Sequence, residues 1–541
     1  MATTVQGAGL EGIDGVLVDV QVASLDGLPC LEISGLPTAC IKEAKHRIRS
    51  AFRSACYEWP TKRLVANLAP ADLPKSGTGY DLPLAVAVMT HAGQLPPAAS
   101  SGALFYAELG LDGGLRALPG AINVALAARD AGITLMYTAL ECAAEAAAVP
   151  GITVFGVDGF VSLVRHLHGE LPLTPAEPAP YVPQPSSATD LSLVRGQLRA
   201  RRALEVAAAG GHNLLLMGPP GCGKTLLARA LAGVLPSLSL EERIDVTRCH
   251  SVAGLTRRAG ALMVERPFRA PHATSTYAAL IGGGNPIRPG EVALAHRGVL
   301  FLDETPEFSR QALEALRAPL EDRHVVVSRA GRTARFPTSV SLVCAMNPCP
   351  CGYRDDPRRA CRCTPRQIDG YRRRLSGPLL DRVDIQVRLD AVRGDELVAP
   401  ALGESTECVR TRVEACRARQ RARNGAQTNA EVGLARLEKI APLGTSEASH
   451  LGAAIRALGL TARSWHRVIR VARTIADLDA RERIERADLS EALTYRVLEE
   501  RRLQGGATVK RKQTEVSGAM VAPETPREPL RQEVAQCRRV E

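Results

Sequence analysis

Residues 218–225 read Gly218-Pro219-Pro220-Gly221-Cys222-Gly223-Lys224-Thr225 and match the phosphate-loop pattern GxxxxGK[ST]. An apolar run, Leu214 to Met217, precedes them, and a helical pattern begins near Thr225. This is the strand, loop and helix setting in which backbone N–H groups hold a phosphate. Lys224 is expected to neutralise the β- and γ-phosphates, and the Thr225 hydroxyl to ligate Mg²⁺. The sequence therefore predicts an α/β domain that binds ATP with Mg²⁺.

A second apolar run ends in two carboxylates. Val299 to Leu302 is typical of a fully buried strand, and it delivers Asp303 and Glu304 at its carboxyl end, where ligands bind in doubly wound sheets. We expect Asp303 to hold Mg²⁺ and Glu304 to orient the attacking water. ATP hydrolysis, beyond binding, is therefore predicted.

A third strand is predicted over Ser341 to Met346 and ends in Asn347, placed to position the water beside the γ-phosphate. Asn347 corresponds to the sensor position of AAA+ ATPases. Arg463, at the start of a helical pattern, resembles the second sensor of their lid domain. The competing interpretation of Arg463 is a solvated helix arginine.

The segment from Leu379 to Asp384 contains Arg382 and resembles the part of helix-2-insert AAA+ proteins that presents an arginine to the neighbouring subunit's nucleotide. Such an arginine stabilises the charge of phosphoryl transfer, so hydrolysis would depend on assembly. Arg373 and Arg374 are the alternatives. An ordinary ion pair of Arg382 with Asp381 or Asp384 is the competing interpretation.

Composition limits the class of protein. The chain has 541 residues, of which 45% are apolar, so it can form several globular domains. No run of 18 uncharged apolar residues occurs and residues 1–9 lack the features of a signal peptide, so a cytoplasmic protein without a membrane span is expected. Its 14 cysteines do not resemble a secreted disulfide framework. The net charge of +11 favours a polyanionic partner.

Periodicity and proline content divide the chain into five segments. Six prolines between residues 172 and 187 indicate an extended linker. The segments are an N-terminal α/β domain over 1–171, this linker over 172–190, an ATPase core over 191–400 with a cysteine-rich insertion over 349–363, a helical C-terminal lid over 401–503, and a tail over 504–541 that is expected to be disordered.

The insertion carries two CxC pairs nine residues apart, which are Cys349 with Cys351 and Cys361 with Cys363. Four thiolates at this density are typical of a zinc site, although CxxC is the commoner spacing. Free structural or redox thiols are the alternative. Arg354, Arg358 and Arg359 lie between the pairs and would make a basic loop that contacts nucleic acid.

Two glycine- and proline-rich stretches, residues 266–272 and 282–291, indicate turn-rich loops. In a ring ATPase such loops often face the central channel, which would offer Arg288 to a phosphate backbone. A surface loop that braces the neighbouring subunit is the alternative. His272 is interpreted as a hydrogen-bonded histidine as readily as a functional one.

Several longer motifs together resemble the ComM/YifB family of magnesium-chelatase-like AAA+ proteins, over about Gly12 to Arg501. They are GPPGCGKT, RPFRAPH, GGGNPIRPGE, LAHRGVLFLDE, AMNPCPCGYRDDPRRACRCTP, SGPLLDRVD and TARSWHRVIRVARTIADL. Ala273 departs from the family pattern, in which a second histidine commonly follows His272.

The resemblance implies a homo-hexameric ring ATPase with a Lon-protease-like (ribosomal S5 domain 2-like) α/β domain, a helix-2-insert AAA+ core and a helical lid. It further implies a DNA helicase that drives branch migration in natural transformation, acting on single-stranded or branched DNA with recombination proteins. A magnesium-chelatase ATPase subunit, an ATP-regulated peptidase and a DNA scaffold without motor activity are the competing functions.

The stretch from Ala69 to Asp81 resembles the region around the Lon nucleophile and places Gly79 at the serine position. Glycine carries no nucleophile and Ser76 lies three residues away, so the N-terminal domain is predicted to be inactive as a protease. A helical stretch over 42–56 is rich in basic residues. It is either a phosphate-binding face or a solvated one.

Overall fold

The computed structural model describes residues 2–179, 189–256, 262–329, 332–354, 356, 359–375, 377–392 and 403–496. Part of the predicted linker, Arg358 and the predicted C-terminal tail lie outside these residues. Within them the chain is a mixed α/β protein with a parallel sheet and a helical C-terminal region.

The N-terminal part is built on a mixed seven-stranded sheet. Its first two strands pair from Thr3 with Val22 to Glu11 with Asp14, and alternate residues of the second strand are buried, as the two-residue period of a strand requires. In sheet order the strands are Leu31–Ser34, Arg63–Ala69, Asp14–Leu25, Thr3–Glu11, Ala103–Tyr106, Leu135–Ala139 and Thr153–Val157. The helices are Ala39–Lys42, Ala44–Ser54, Asp81–His91, Pro97–Ser100, Ala121–Asp130, Leu140–Ala147 and Phe160–Leu167.

The beginning of the predicted linker is extended but is not free. The backbone N–H of Ala176 donates to Val154 O at 2.7 Å, and Pro175 forms a bridge with Phe155 at the edge of the N-terminal sheet. Pro175 has no N–H to donate, so it suits the edge of a sheet, where one side of the backbone has no neighbouring strand. The chain therefore leaves the N-terminal part later than its proline content indicated.

The ATPase core contains five parallel strands. In sheet order they are Phe268–Arg269, the acid strand Val299–Leu302, the sensor strand Ser341–Met346, the phosphate strand Leu214–Met217, and the edge strand Ile385–Arg388. The acid and phosphate strands are buried throughout, as expected of apolar runs covered on both faces. The helices before and after the phosphate strand are Leu198–Gly210 and Lys224–Val234, and Leu240–Val252 follows.

Two insertions leave this core. The glycine-rich one contains more regular structure than predicted, because a short pairing of Gly282–Gly283 with Arg288–Pro289 lies between helices Tyr277–Ile281 and Glu291–Leu294. The other is a hairpin of His324–Arg329 with Arg332–Pro337, which we did not predict. The remaining short elements before the C-terminal region are Leu191–Leu193, Thr305–Glu307, Arg310–Ala315, Arg317–Asp322, Pro365–Arg373 and Gly377–Leu380.

The C-terminal region is helical as predicted. Its helices are Thr406–Asn424, Leu434–Ile440, Thr445–Leu458, Ala462–Leu478 and Arg486–Thr494. The last of these helices ends at Thr494, because buried Arg496 instead donates to Val383 O at 3.0 Å and bridges Gln386 on the edge strand. The end of the region is thereby tied to the ATPase sheet.

The N-terminal part packs against the ATPase core through a buried carboxylate. Glu145 accepts from the Ser251 hydroxyl and, at 2.6 Å, from the Thr256 hydroxyl, both of which belong to the core. The backbone of Gly120 also donates to Ser251 Oγ at 2.9 Å. Among the described residues, no helix is both long enough and apolar enough to cross a bilayer.

Candidate active site

The phosphate loop turns on glycines and encloses its lysine. Gly221 and Gly223 have φ of 75° and 91°, a left-handed conformation that side chains disfavour. Lys224 Nζ donates to Gly218 O at 2.8 Å and to Pro219 O at 3.0 Å. These carbonyls hold the ammonium group at the place where phosphate oxygens are expected.

Asn347, the predicted sensor residue, reaches the same lysine. Lys224 Nζ also donates to Asn347 Oδ1 at 3.0 Å. The strand order explains this contact, because the sensor strand lies between the phosphate and acid strands and all three are parallel. Met217 pairs with Met346, so the phosphate loop and Asn347 leave the sheet at the same level.

The carboxylates predicted to serve the metal and the water stand beside this pair. Thr225 Oγ1 donates to Asp303 Oδ2 at 3.1 Å, which places together the two groups expected to ligate Mg²⁺. The Glu304 N–H donates to Asp303 Oδ1 at 2.9 Å, and Glu304 has φ of 47°. A positive φ is uncommon for a residue other than glycine, and here it turns the exposed Glu304 out of the strand direction.

Burial shapes the electrostatics of the loop. Burial lowers the pKa of Lys224, while Cys222, Asp303 and Glu304 act in the opposite direction. The Cys222 thiol is buried and its pKa is raised, mainly by desolvation, so it remains a neutral packing group. A side chain at Gly218 would begin 2.7 Å from Cys222 Sγ, which explains the glycine there.

Tyr371 is a member of this site that sequence reasoning missed. It lies in the helix Pro365–Arg373, is buried, and hydrogen-bonds the backbone of Asn347; burial raises the pKa of its phenol to about 12. Its hydroxyl therefore lies beside the backbone of Asn347. Only the apolar face of that helix, Ile368 with Tyr371, hinted that the tyrosine points inward.

Arg382 lies at the opposite edge of the sheet. Asn213, just before the phosphate strand, donates through Nδ2 to Arg382 O at 2.8 Å. Gly218 is five residues further along, or about 16 Å at the rise of a strand. The Arg382 side chain, 15% exposed, pairs with Glu321 and not with Asp381 or Asp384 as the competing interpretation supposed. It cannot reach its own phosphate loop.

The other candidate arginines lie at different ends of the parallel strands. Arg463, whose side chain is 76% exposed, pairs with Asp381 at 3.0 Å and so stands beside Arg382, away from its own phosphate loop. Arg374 instead pairs with Glu307 at 2.9 Å, near the acidic pair. Arg373 pairs with Asp369 at 2.8 Å on the surface. Arg382 and Arg463 therefore lie together, away from the phosphate loop of their own chain.

The four cysteines of the insertion converge. Their sulfur atoms all lie within 4.8 Å of one another, with Cys349 and Cys351 Sγ 3.4 Å apart and Cys361 Sγ 3.6 Å from each. Zinc–sulfur bonds of about 2.3 Å in a tetrahedron separate the sulfurs by about 3.8 Å. Cys363 completes a set that fits zinc.

The cysteine cluster lies against the nucleotide site. The insertion begins two residues after Asn347, and a side chain at Gly352 would begin 2.8 Å from Pro220 of the phosphate loop. Within the basic loop, the Arg359 guanidinium lies 4.3 Å from the centre of the Tyr353 ring and donates to its hydroxyl. Arg354 is half-buried.

The region that resembles the Lon nucleophile has no room for one. A side chain at Gly79 would begin 2.6 Å from Tyr106 Cε2, and Tyr106 is fixed by donating to Pro119 O at 2.8 Å. Ser76 Oγ accepts from Arg332 Nη1 at 3.0 Å, whereas the buried Lys75 ammonium donates to Pro70 O. The described hydrogen bonds therefore do not couple Ser76 to Lys75.

Gly79→Ser is expected to destabilise the protein by about 1–3 kcal/mol, the usual cost of overpacking a well-filled site, and to create no peptidase activity. The free energy of unfolding from urea titrations, together with casein degradation, checks both parts. Gly77→Ser is the matched control, because the space around Gly77 is open and only its φ of 91° opposes the change. Casein cleavage by the Gly79 variant would contradict this account.

Arg288, in the glycine-rich insertion, is exposed and lines a cavity of about 410 Å³. The cavity lies between this insertion and the N-terminal part, and Ser76 and Arg332 also line it.

His272 is exposed, and its Nδ1 lies 2.8 Å from Thr274 Oγ1. This contact does not make His272 a catalytic group.

Comparison with protein families assigns all three parts of the chain to one group. The model described as magnesium chelatase, subunit ChlI, matches residues 190–397; that of subunit ChlI of Mg-chelatase matches 18–140; and the C-terminal model of the same subunit matches 403–496. The three matches cover the ATPase core, most of the N-terminal sheet and the helical region.

Full-length relatives agree. The chain is 40% identical over 493 residues to YifB of Salmonella typhimurium, covering 90% of this chain and 96% of that one. It is 39% identical over 494 residues to the competence protein ComM of Haemophilus influenzae, with the same coverage. An uncharacterized protein of Mycobacterium tuberculosis is 42% identical over 496 residues, covering 90% and 97%. ATPase activity is implied by this membership: the chain belongs to the ComM/YifB family of magnesium-chelatase-like AAA+ proteins.

Proposed function

We propose that this protein is a hexameric ATPase that moves DNA, acting as a branch-migration helicase in recombination or transformation. The observation that supports this most strongly is that two hydrogen-bonded pairs, Lys224 with Asn347 and Thr225 with Asp303, stand side by side at the phosphate loop. In this site Lys224 and Thr225 bind phosphate and Mg²⁺, Asp303 binds the metal, and Glu304 orients the water.

Assembly completes the site. Arg382 and Arg463 lie about a strand length from their own phosphate loop, which supports their acting on the nucleotide of a neighbouring copy. Glu321 and Asp381 then hold the two side chains until that nucleotide is present. The hairpin between helices Tyr277–Ile281 and Glu291–Leu294 supports assignment to the helix-2-insert branch, and the N-terminal part is assigned to the Lon-like fold.

DNA is the proposed polyanion. The net charge is +11, and the basic N-terminal stretch exposes Lys42, Lys45, His46, Arg49 and Arg53. Arg47 does not contribute to this surface, because it pairs with buried Asp81 at 2.6 Å. One relative bears the name competence protein, which agrees with a role in DNA uptake. We place the protein in the cytoplasm, where recombination proteins would be its partners.

The test is ATPase activity with and without single-stranded, duplex and four-way-junction DNA, together with ATP-dependent junction dissociation. Stimulation by DNA with junction movement is the expected result. Hexamers that bind DNA and hydrolyse ATP without moving junctions would replace the motor with a scaffold. ATPase activity indifferent to DNA would favour the second candidate, a magnesium-chelatase ATPase subunit, which the family matches support.

We also propose that Cys349, Cys351, Cys361 and Cys363 bind zinc. Cys361→Ser is expected to lower the zinc content of the purified protein from about one per chain to near zero, because three protein ligands rarely suffice for a structural site. Elemental analysis measures this directly. Cys408→Ser is the control, since Cys408 lies outside the cluster. Zinc-free wild-type protein would overturn the assignment.

A further inference from the structure

A second cavity, which is polar and has a volume of about 130 Å³, lies at the amino ends of the parallel strands. Its wall includes Gly211, Gly298 and Ser341, which precede or begin the phosphate, acid and sensor strands. The phosphate loop lies at the carboxyl ends of those strands. The cavity is therefore separate from the nucleotide site.

Positive charge dominates the wall of this cavity. Its ionisable groups are Arg266, Arg297, Arg323, Arg417, Arg421, Glu242 and Glu431. The two carboxylates are already engaged, since Glu242 lies 3.1 Å from Arg266 and 3.6 Å from Arg297, and Glu431 lies 2.8 Å from Arg323. Asp245, outside the wall, also lies 3.6 Å from Arg297. The wall thus carries three more positive than negative charges.

Arg417 is half-buried and lacks an ion-pair partner within the part of the chain that the structure describes. Its guanidinium donates only to Ala208 O, at 3.2 and 2.8 Å, and in the described chain no carboxylate lies within ion-pair distance. Burial lowers the pKa of Arg417 to about 10, with neighbouring Arg266 acting in the same direction. Glu431 and Glu242 act in the opposite direction, but neither lies close enough to pair with Arg417. Partial removal of a cation from water without a paired anion is unfavourable.

Two further polar groups in the wall lack a hydrogen-bond partner within the described residues. Arg297 Nε, a donor, and Thr428 Oγ1, which donates or accepts, are buried and make no hydrogen bond within the described residues. Buried polar atoms of folded proteins are nearly always hydrogen-bonded. A tetrahedral oxyanion would supply acceptors to both, and guanidinium groups match its geometry with paired N–H donors.

We propose that this cavity binds one phosphate-sized oxyanion between the ATPase core and the helical C-terminal region. The volume is several times that of a water molecule in the liquid, about 30 Å³, so the cavity has room for a phosphate. Arg266, Arg297 and Arg323 belong to the core, whereas Arg417 and Arg421 belong to helix Thr406–Asn424. The bound anion would hold these two parts together.

The test titrates inorganic phosphate into the full chain by calorimetry at constant ionic strength. The chain carries Lys224→Ala, so the phosphate loop does not contribute. One phosphate per chain is expected, with affinity weakened at least about tenfold by Arg421→Gln, a loss near 1.4 kcal/mol. Arg421 is exposed, so its replacement leaves the core intact. Arg417→Gln is expected to weaken binding further.

Arg419→Gln is the control, because Arg419 is exposed on the same helix, donates to Asp477 O and does not line the cavity. Its phosphate affinity should equal that of the parent chain. The phosphate group could otherwise belong to nucleotide on a neighbouring copy, but the Lys224→Ala chain is expected to hold none, so binding to it identifies a free oxyanion. No binding to the parent, or equal affinity in the Arg421 variant, would overturn the proposal. If the parent chain binds no phosphate and the Arg421 variant loses DNA binding, the cavity wall would instead be assigned to nucleic acid.

Discussion

Glu304→Gln is expected to lower ATP turnover by a factor of about 10²–10⁴, the usual contribution of a positioned general base, while ATP remains bound. Glutamine has the same shape but cannot accept the proton of the attacking water. Lys224, Thr225 and Asp303 keep their contacts with phosphate and metal, so the variant should accumulate as ATP-bound hexamers. Single-turnover hydrolysis and the nucleotide content of the assembled protein measure the two effects.

Glu307→Gln is the matched control for this variant. Its carboxylate lies three residues further on and accepts from Arg374 at 2.9 Å, with both side chains about half exposed. Exposed ion pairs contribute at most about 1 kcal/mol to stability, so turnover should stay near the wild-type value. Equal losses in the Glu304 and Glu307 variants would contradict the assignment of Glu304 to the water.

Arg382→Ala is expected to leave ATP binding intact and to lower turnover by a factor on the order of 10³, as for arginines that stabilise phosphoryl transfer from a neighbouring chain. Its side chain lies at the amino edge of the sheet, so removing it does not disturb the chain's own phosphate loop. Steady-state hydrolysis and nucleotide affinity separate the two quantities. Arg373→Ala, which removes an exposed surface pair, tests the alternative arginine and is expected to leave turnover near the wild-type value.

A mixing experiment tests whether Arg382 acts on the neighbouring copy. Lys224→Ala chains should bind no nucleotide, and Arg382→Ala chains should bind it without turnover. In mixed rings, some interfaces combine an intact phosphate loop from one variant with an intact Arg382 from the other. Hydrolysis should therefore return on mixing. Mixtures as inactive as their components, in rings shown to be mixed, would remove Arg382 from its role.

The parts of the site that directly follow apolar strands could be predicted from the sequence. The phosphate loop, the acidic pair and Asn347 each follow an apolar strand, and parallel strands present their carboxyl ends at one edge, so their meeting was predictable. The same reasoning underestimated the glycine-rich insertion and missed the hairpin His324–Pro337. These short pairings are fixed by packing on the core, which local propensity does not contain.

Contacts between distant side chains that do not follow parallel strands could not be predicted. Tyr371 reaches Asn347 from a helix 24 positions later, and Arg382 pairs with Glu321 through the meeting of a helix end with the sheet edge. The sequence near each residue offers several partners of suitable charge. Which of them is chosen depends on strand order and helix packing.

The sequence by itself determined the phosphate loop, the identity of the residues that face it, the four-cysteine set and the family, because these depend on short spacings along the chain. Only the tertiary structure decided that the sensor strand lies between its two partners, that Arg382 and Arg463 lie away from their own nucleotide site, and that five arginines surround one cavity. The chemical groups of a short motif are set by neighbouring residues in the sequence. Distances between remote residues follow from how buried strands and helices pack together.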